Sequence, residues 1–321
     1  MKVAELEDAY RAARARLARR VRRTPLLFSS DLSAFCERPV YLKCENVQQT
    51  GAFKYRGALN ALLAREDEAR RHGVVASSSG NFAMAAAWAA RELSIAATLV
   101  MMPDAAKVKV DACRRWGADV VFCEGRYEAR QEVVDRIRRE TGALALHPHD
   151  AVETIAGNAT LAAEILDDLP DTADVVVPVS GGGLLGGIGA GLLFAGSSAR
   201  VHGVQPAGNT AFARAFESGR RGVGPAPRTI CDGLTATRPG KLGFALAQEV
   251  VADIVTVPEE EILPAVKRLA LRDHLVVEPS GAVGVAAAVS GRFAPASGPL
   301  VLVLSGGNIG EETLRAALEG D

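Results

Sequence analysis

Short apolar strands alternate with helical segments along this chain, and that alternation constrains its fold more than any other feature. Runs such as "DVVVPV" (174–179) and "LVLVLSG" (300–306) are rich in aliphatic residues, and short joints separate them from helices. A strand that is apolar on both faces is typical of a parallel sheet covered by helices. The sequence therefore predicts an α/β fold. Strands are predicted at 73–79, 96–102, 119–123, 143–147, 174–179, 200–205, 253–257 and 300–306, and helices at 80–92, 127–140, 153–167, 184–194 and in a segment that ends near Trp116.

The arginine-rich N-terminus predicts a solvent-exposed first helix rather than a transit peptide. Transit peptides are poor in acidic residues and rich in serine, whereas Glu5, Glu7 and Asp8 lie here and no serine precedes Ser29. We expect this helix to stop at Pro25, because proline lacks the N–H group that a helix needs.

The composition indicates an ordinary folded protein and excludes several partners. Of 321 residues, 48% are hydrophobic and 23% are charged, and a net charge of −1 gives no electrostatic footprint for nucleic acid. No uninterrupted apolar run reaches the roughly 18 residues of a membrane helix. The 5 cysteines form no C-x-x-C pair, so we expect free thiols and a cytoplasmic location.

The strongest local signal is "VVVPVSGGGLLGGI" (175–188), where a buried strand runs through three glycines into a helix. Such a joint points several backbone N–H groups at one spot, and the helix N-terminus adds partial positive charge, which suits a phosphate. Gly181, Gly183 and Gly186 also satisfy the dinucleotide pattern G-x-G-x-x-G. That pattern expects an acidic residue at the end of the next strand, where Gln205 stands. A phosphate site is therefore favoured, with a dinucleotide site as the weaker alternative.

Two further strand-to-helix joints, "SSSGNFAMAAAWAA" (77–90) and "VLSGGNIGEE" (303–312), carry polar groups. We expect Ser78 or Ser79 to cap the helix that follows, whose N–H groups would suit a carboxylate. Ser305 stands at the end of a strand, where ligands bind in α/β sheets. Taken alone, each stretch is more typical of an ordinary joint than of a binding site.

Five motifs in a fixed order permit a more specific interpretation. "TGAFKYRGALNAL", "SSSGNFAMAAA", "VPVSGGGLLGGI", "VVEPSGAVGVAAA" and "LSGGN" resemble, in order and spacing, those of the fold-type-II pyridoxal phosphate enzymes, and most closely the serine/threonine dehydratases and serine racemase. The resemblance implies pyridoxal 5'-phosphate as cofactor, a two-lobed α/β fold like that of tryptophan synthase β, and a homodimer. It also implies a large cofactor-binding domain of residues 1–72 and 147–321 and a small substrate-side domain of residues 73–146.

The same resemblance implies a role for each matching residue. Lys54 would form a Schiff base with the cofactor aldehyde and then act as the base at the substrate α-carbon. Asn81 would bond the cofactor 3-hydroxyl, and Ser305 would face the pyridine nitrogen. The other cofactor residues would be Phe53, Ser180, Gly181, Gly182, Gly183 and Leu184, with His149 nearby. The substrate residues would be Ser78, Ser79, Gly80, Asn81, Phe82 and Arg130.

The chemistry of these residue types agrees with the implied roles. A lysine must be partly neutral to attack, and burial beside Phe53 lowers its pKa. The cofactor serves as an electron sink for negative charge at the α-carbon. A neutral Ser305 would leave the pyridine nitrogen unprotonated, which favours prompt loss of a β-leaving group over transamination.

Three positions near the substrate depart from the family pattern. Ser79 stands where many threonine dehydratases have alanine and serine racemase has serine. It is the candidate for a second catalytic acid or base on the face opposite Lys54. Phe82 replaces a histidine and could admit a larger or more apolar substrate. Ala52 replaces a serine, which is a small change.

A fourth departure concerns the metal site of the racemase-like relatives. Gln205, Asn209 and Ala211 lie at its positions, and those relatives have carboxylates at the first and third of them. Divalent cations prefer carboxylate oxygens, so we expect no metal there.

The predicted activity is that of an ammonia-lyase, which dehydrates and deaminates a small β-hydroxy amino acid such as L-threonine or L-serine to a 2-oxo acid and ammonia. Racemisation of serine or a relative, or dehydration of hydroxyaspartate or phenylserine, remains open because of Ser79. A non-catalytic ligand-binding protein is disfavoured by the intact Lys54, and β-replacement is a distant alternative. Neither nucleic acid nor a membrane is an expected partner.

Overall fold

A computed structural model describes residues 3–124, 129–293 and 297–320 of the chain. Its strands are β1 (Leu26–Phe28), β2 (Val40–Cys44), β3 (Val74–Ser77), β4 (Ala97–Met101), β5 (Asp119–Phe122), β6 (Leu144–Leu146), β7 (Asp174–Pro178), β8 (Arg200–Pro206), β9 (Asp253–Val257) and β10 (Leu300–Leu304). Its α-helices are α1 (Glu7–Leu17), α2 (Ser30–Cys36), α3 (Lys54–Ala64), α4 (Glu66–His72), α5 (Asn81–Glu92), α6 (Lys107–Arg115), α7 (Ala129–Thr141), α8 (Val152–Asp168), α9 (Gly183–Phe194), α10 (Ala211–Ser218), α11 (Lys241–Val250), α12 (Ile262–Arg272), α13 (Pro279–Val289) and α14 (Glu311–Glu319).

The strands form two sheets covered by helices, so the predicted α/β class is confirmed. The larger sheet has the order β1-β2-β10-β7-β8-β9 and the smaller has the order β5-β4-β3-β6. Neighbouring strands are parallel throughout the described residues, except that β1 runs antiparallel to β2 at one edge. The smaller sheet lies between residues 74 and 146. That confinement supports the proposed division into domains, which stays a prediction.

The N-terminal helix departs from its prediction. It ends at Leu17 instead of reaching Pro25, and its Tyr10, Ala13 and Leu17 are buried. Beyond the end of the helix, the N–H of Arg22 donates to the Gln48 side chain at 3.0 Å. The first residues of the predicted helix 127–140 lie outside the described residues.

The loop that precedes Lys54 is bound to the end of β10, although the two segments are far apart in sequence. The N–H of Phe53 donates to the carbonyl oxygen of Ser305 at 3.0 Å, and the N–H of Gly307 donates to Gly51 at 2.9 Å. These bonds bring the motifs "TGAFK" and "LSGGN" to one place, with Lys54 as the first residue of α3.

A buried ionic network fixes the first turn of α3. Arg56 is fully buried, and its guanidinium lies 2.8 Å from Glu45 and 2.6 Å from Glu164. Glu164 also pairs with the buried Lys43 at 2.7 Å. Because a buried charge is stable only when it is paired, the network holds α3 firmly on β2 and α8.

None of the helices in the described ranges combines the length and the apolar character that crossing a membrane requires.

Candidate active site

A cavity of about 550 Å³ opens where strands of both sheets end, which is a typical size for a small-molecule site. Ser78 follows β3, Met102 follows β4, Ser180 follows β7 and Ser305 follows β10. All predicted cofactor and substrate residues line this cavity: Phe53, Lys54, Ser78, Ser79, Gly80, Asn81, Phe82, Arg130, Ser180, Gly181, Gly182, Gly183, Leu184 and Ser305. Their individual roles stay predictions.

Lys54 presents an amine to the cavity. Its Nζ donates a hydrogen bond of 2.7 Å to the carbonyl oxygen of Pro148 and lies 4.9 Å from the centre of the Phe53 ring. Burial lowers the pKa of Lys54 to about 8, against the opposing effect of the Glu278 carboxylate. Since an ordinary lysine has a pKa of about 10.4, this amine is neutral to a far greater extent near neutral pH.

The glycine loop leaves no room for side chains. Gly182 is the N-cap of α9 with a left-handed φ of 91°, and a Cβ there would lie 2.3 Å from Phe212. A Cβ on Gly181 would lie 2.2 Å from the His149 ring. The backbone at the start of α9 therefore lines the cavity itself, and its N–H groups with the helix dipole fit a phosphate.

The segment 147–150 supports both the loop and the lysine. His149 packs against Gly181, and burial holds its pKa well below the usual range, so its ring is neutral. Pro148 accepts the hydrogen bond from Lys54. The Asp150 carboxylate accepts the N–H groups of Lys241 and Leu242, both at 2.7 Å, at the start of α11.

The prediction that Ser78 or Ser79 caps α5 is wrong. Gly80 is the N-cap, and none of the side chains that the structure describes makes a capping hydrogen bond to the helix start. Ser79 Oγ instead accepts the N–H of Met102 at 2.9 Å, which ties this joint to the end of β4, and Ser78 Oγ accepts the N–H of Gly80 at 3.3 Å. Because no side chain caps α5, its first N–H groups are available to an anion such as a carboxylate.

Asn81, the first residue of α5, makes hydrogen bonds through both the nitrogen and the oxygen of its side-chain amide. Its Nδ2 donates to Glu278 Oε1 at 2.7 Å, and its Oδ1 accepts a hydrogen bond of 3.0 Å from Asn308. Asn308 also donates to the carbonyl oxygen of Thr50 at 2.8 Å. The Asn81 amide is therefore fixed relative to the loop that carries Lys54.

The remaining predicted residues lie at different depths. Ser305 is buried at the end of β10, and Ser180 Oγ accepts the N–H of Ala236 at 3.1 Å. Arg130 lines the cavity with most of its side chain buried. Phe82 is 1% exposed, and it packs into the core beside the smaller sheet, with its ring centre 5.9 Å from Lys54 Nζ.

Lys109, Asp232 and Glu278 are ionisable residues of the cavity for which the sequence predicted no role. Lys109 on α6 pairs with Asp232 at 2.5 Å across it, and Glu278 is fully enclosed beside Asn81. Glu278 had a sequence signal, since it is a carboxylate inside the apolar run "VVEPSG". Lys109 and Asp232 had none, because nothing in their local patterns distinguishes them from surface charges.

Two of the three positions expected to lack a metal, Gln205 and Asn209, carry side-chain amides with hydrogen-bond partners in the fold. Gln205 Oε1 accepts the N–H of Ala213 at 2.8 Å, and Asn209 donates to Leu234 and Ala236. Within the ranges that the structure describes, no three His, Cys, Asp or Glu residues form a group able to hold a metal. The expected absence of a metal remains a prediction.

Comparisons with known proteins agree over nearly the whole chain. A family described as "Pyridoxal-phosphate dependent enzyme" matches residues 17–306. An L-threonine ammonia-lyase of Geobacter sulfurreducens is 38% identical over 304 residues, which cover 95% of this chain and 76% of the relative. A serine racemase of Oryza sativa subsp. indica is 36% identical over 304 residues, covering 93% of this chain and 89% of the relative. The structure of maize serine racemase superposes with a TM-score of 0.92 at 35% identity and covers 97% of this chain and 96% of that one.

Proposed function

The chain belongs to the pyridoxal-phosphate dependent enzymes, in the group of the serine/threonine dehydratases and serine racemases, and on that premise we propose that it is an ammonia-lyase acting on a small β-hydroxy amino acid. The family and the cofactor predicted from the five motifs are thereby confirmed. The proposed reaction converts L-threonine or L-serine into a 2-oxo acid and ammonia. The observation that carries the proposal is a buried, partly neutral Lys54 in one cavity with a helix-terminal phosphate cradle.

The residues of the cavity fit the cofactor. Bound pyridoxal phosphate supplies an electron sink for the negative charge that develops at the substrate α-carbon. Ser180, the three glycines 181–183 and Leu184 would hold its phosphate, and the Ser305 hydroxyl would donate a hydrogen bond to its ring nitrogen. Asn81 would donate to its 3-hydroxyl oxygen, because the Asn81 Oδ1 is already taken by Asn308.

Lys54 is the proposed base at the α-carbon. An amine with a pKa of about 8 takes up a proton and releases it again near neutral pH, which suits a general base. The hydrogen bond to Pro148 is made to a neutral acceptor, so it orients the amine without stabilising its charged form as a carboxylate would.

The start of α5 is the proposed site for the substrate carboxylate. Its backbone N–H groups have no side-chain cap. Ser79 uses a lone pair for the N–H of Met102, which leaves the hydroxyl hydrogen for donation to the substrate. Arg130 is the proposed contact for a polar group on the substrate side chain.

A substrate comparison tests the proposal. The enzyme loaded with pyridoxal phosphate is assayed for 2-oxo acid and for inverted amino acid from L-serine, L-threonine, threo-3-hydroxyaspartate and phenylserine. We expect 2-oxo acid from L-threonine or L-serine as the fastest reaction. Turnover of none of the four would contradict the proposal.

Racemisation of serine or a related amino acid is the second candidate. It requires an acid on the face opposite the base, and Ser79 is the residue that favours it, since its hydroxyl reaches the cavity. Two relatives named serine racemase support this alternative. Formation of D-amino acid at a rate comparable with that of 2-oxo acid would make it the main activity.

Assembly and location are proposed on less direct grounds. A homodimer follows from family resemblance and is tested by light scattering of the loaded enzyme. A cytoplasmic location is supported by the 5 cysteines, all of which are free thiols.

A further inference from the structure

Glu278 occupies an unusual place at the start of a helix. It is the N-cap of α13, with Pro279 at the first helical position, yet its side chain makes no hydrogen bond to that helix. A carboxylate at an N-cap ordinarily accepts the helix N–H groups. This one lines the active-site cavity instead, with the residue only 2% exposed.

One carboxyl oxygen of Glu278 is closely surrounded by other residues. Oε1 accepts the Asn81 amide at 2.7 Å. A Cβ on Gly306 would lie 2.5 Å from the same oxygen, and the N–H of Glu278 donates to the carbonyl oxygen of Gly306 at 3.0 Å. A residue larger than the first glycine of "SGGN" would therefore collide with this carboxyl group. The start of α13, the end of β10 and the start of α5 meet at this point.

The other oxygen is buried without a hydrogen-bond partner in the described part of the chain. Leaving a buried acceptor unpaired is unfavourable, and more so when it is charged. Such a group is typical of a functional site, where the geometry serves a ligand or a protonation change.

Three charged groups act on Glu278 across the cavity. Burial first and the Asp232 carboxylate second raise the pKa of Glu278 to about 7, against the opposing effects of Lys109, the Asn81 amide and the Asn308 backbone. The third charged group is Lys54, whose pKa the Glu278 carboxylate raises. Glu278 therefore exchanges its proton near neutral pH.

We propose that Glu278 is a positioning residue that acts on the cofactor through Asn81. It holds the Asn81 amide so that the second N–H of Nδ2 is available to the cofactor oxygen, and its own protonation changes the charge next to that contact. The inference rests on the proposed function, because it assigns Asn81 to the cofactor.

Three variants of the loaded enzyme test the proposal through the visible absorption of the bound cofactor, followed from pH 5.5 to 8.5. E278Q keeps the shape and the acceptor oxygen but cannot ionise. N81A removes the connecting amide. E261Q is the matched control, because Glu261 is also a helix N-cap whose side chain makes no capping bond, at the start of α12 and paired with Arg292. Thermal unfolding of each variant reports whether it is folded.

We expect a spectral step with a midpoint within about one unit of pH 7 in the wild type and in E261Q. The step is lost in E278Q and in N81A. A wild type without the step, or an E278Q variant that keeps it, overturns the proposal. If E278Q loses the spectral step while N81A keeps it, Glu278 does not act on the cofactor through Asn81. Should E278Q fail to fold, a wild type without the step or an N81A variant that keeps it still overturns the proposal. A wild type that acquires no visible band on loading contradicts the proposed function instead.

Discussion

The amine of Lys54 lies 2.7 Å from the carbonyl oxygen of Pro148 and donates a hydrogen bond to it. The partner is neutral, and Lys54 forms no ion pair with any residue in the described ranges. Burial is therefore the main influence on its charge, and it favours the neutral amine.

The rate at which the apoprotein takes up pyridoxal phosphate should rise with pH and level off above a midpoint near 8. The attacking species is the neutral amine, and the pKa of Lys54 is about 8. Stopped-flow absorbance measures the rate. A midpoint near that of an exposed lysine, about 10.4, would show that the amine is not desolvated.

Gly182→Ala should weaken cofactor binding about tenfold or more, equivalent to the loss of one hydrogen bond to a charged group. The added Cβ meets Phe212 at 2.3 Å and displaces the N–H groups at the start of α9. Gly196→Ala is the control, because Gly196 also has a left-handed φ, of 68°, with open space around it. That control should lose about 1–2 kcal/mol of stability and no cofactor affinity. Equal cofactor affinities of the two variants in equilibrium titrations would contradict the proposal that the start of α9 binds the cofactor phosphate.

Ser79→Ala should separate the two candidate activities. Loss of an acid on the second face should reduce racemisation about 100-fold or more, while elimination by Lys54 changes by less than about tenfold. Ser78→Ala serves as a neighbouring control. Chiral chromatography and a 2-oxo acid assay on the same samples give both rates, and a parallel decline of the two would assign Ser79 to substrate binding alone.

Arg56→Met should lower the free energy of unfolding by about 3–5 kcal/mol, because it removes the ion-pair partner of the buried Glu45 carboxylate and leaves Glu164 with Lys43 alone. Arg11→Met removes a pair with Glu7 whose arginine side chain is 71% exposed. That change should cost less than about 0.5 kcal/mol. Denaturant unfolding of both variants measures the difference, and equal losses would mean that the buried network does not stabilise α3.

The fold class and the cavity were predictable because the functional residues follow strands and precede helices. The joints after β3, β7 and β10 each carry small or polar residues at the carboxyl end of a strand, and parallel strands bring such ends together. The strand β2, which lies between β1 and β10, escaped prediction because Lys43 interrupts its apolar run. Only the structure shows that Glu164 and the carbonyl oxygen of Thr24 satisfy this buried amine.

Pairings between distant segments could not be predicted. Lys109 and Asp232 are ordinary charges in sequence, and their ion pair depends on how α6 lies against the loop after residue 230. The cap of α5 was mispredicted for a related reason. Ser79 is a good N-cap by local preference, but the end of β4 supplies a competing donor, the N–H of Met102.

The most direct test of the account is reductive trapping. The loaded enzyme is treated with borohydride, which makes the bond between cofactor and lysine permanent, and peptide mass spectrometry locates the modified residue. We predict a single phosphopyridoxyl group on Lys54. Modification of Lys43 or Lys109, the buried lysines of the ionic pairs, or of no lysine at all, would contradict the central claim that Lys54 is the catalytic amine.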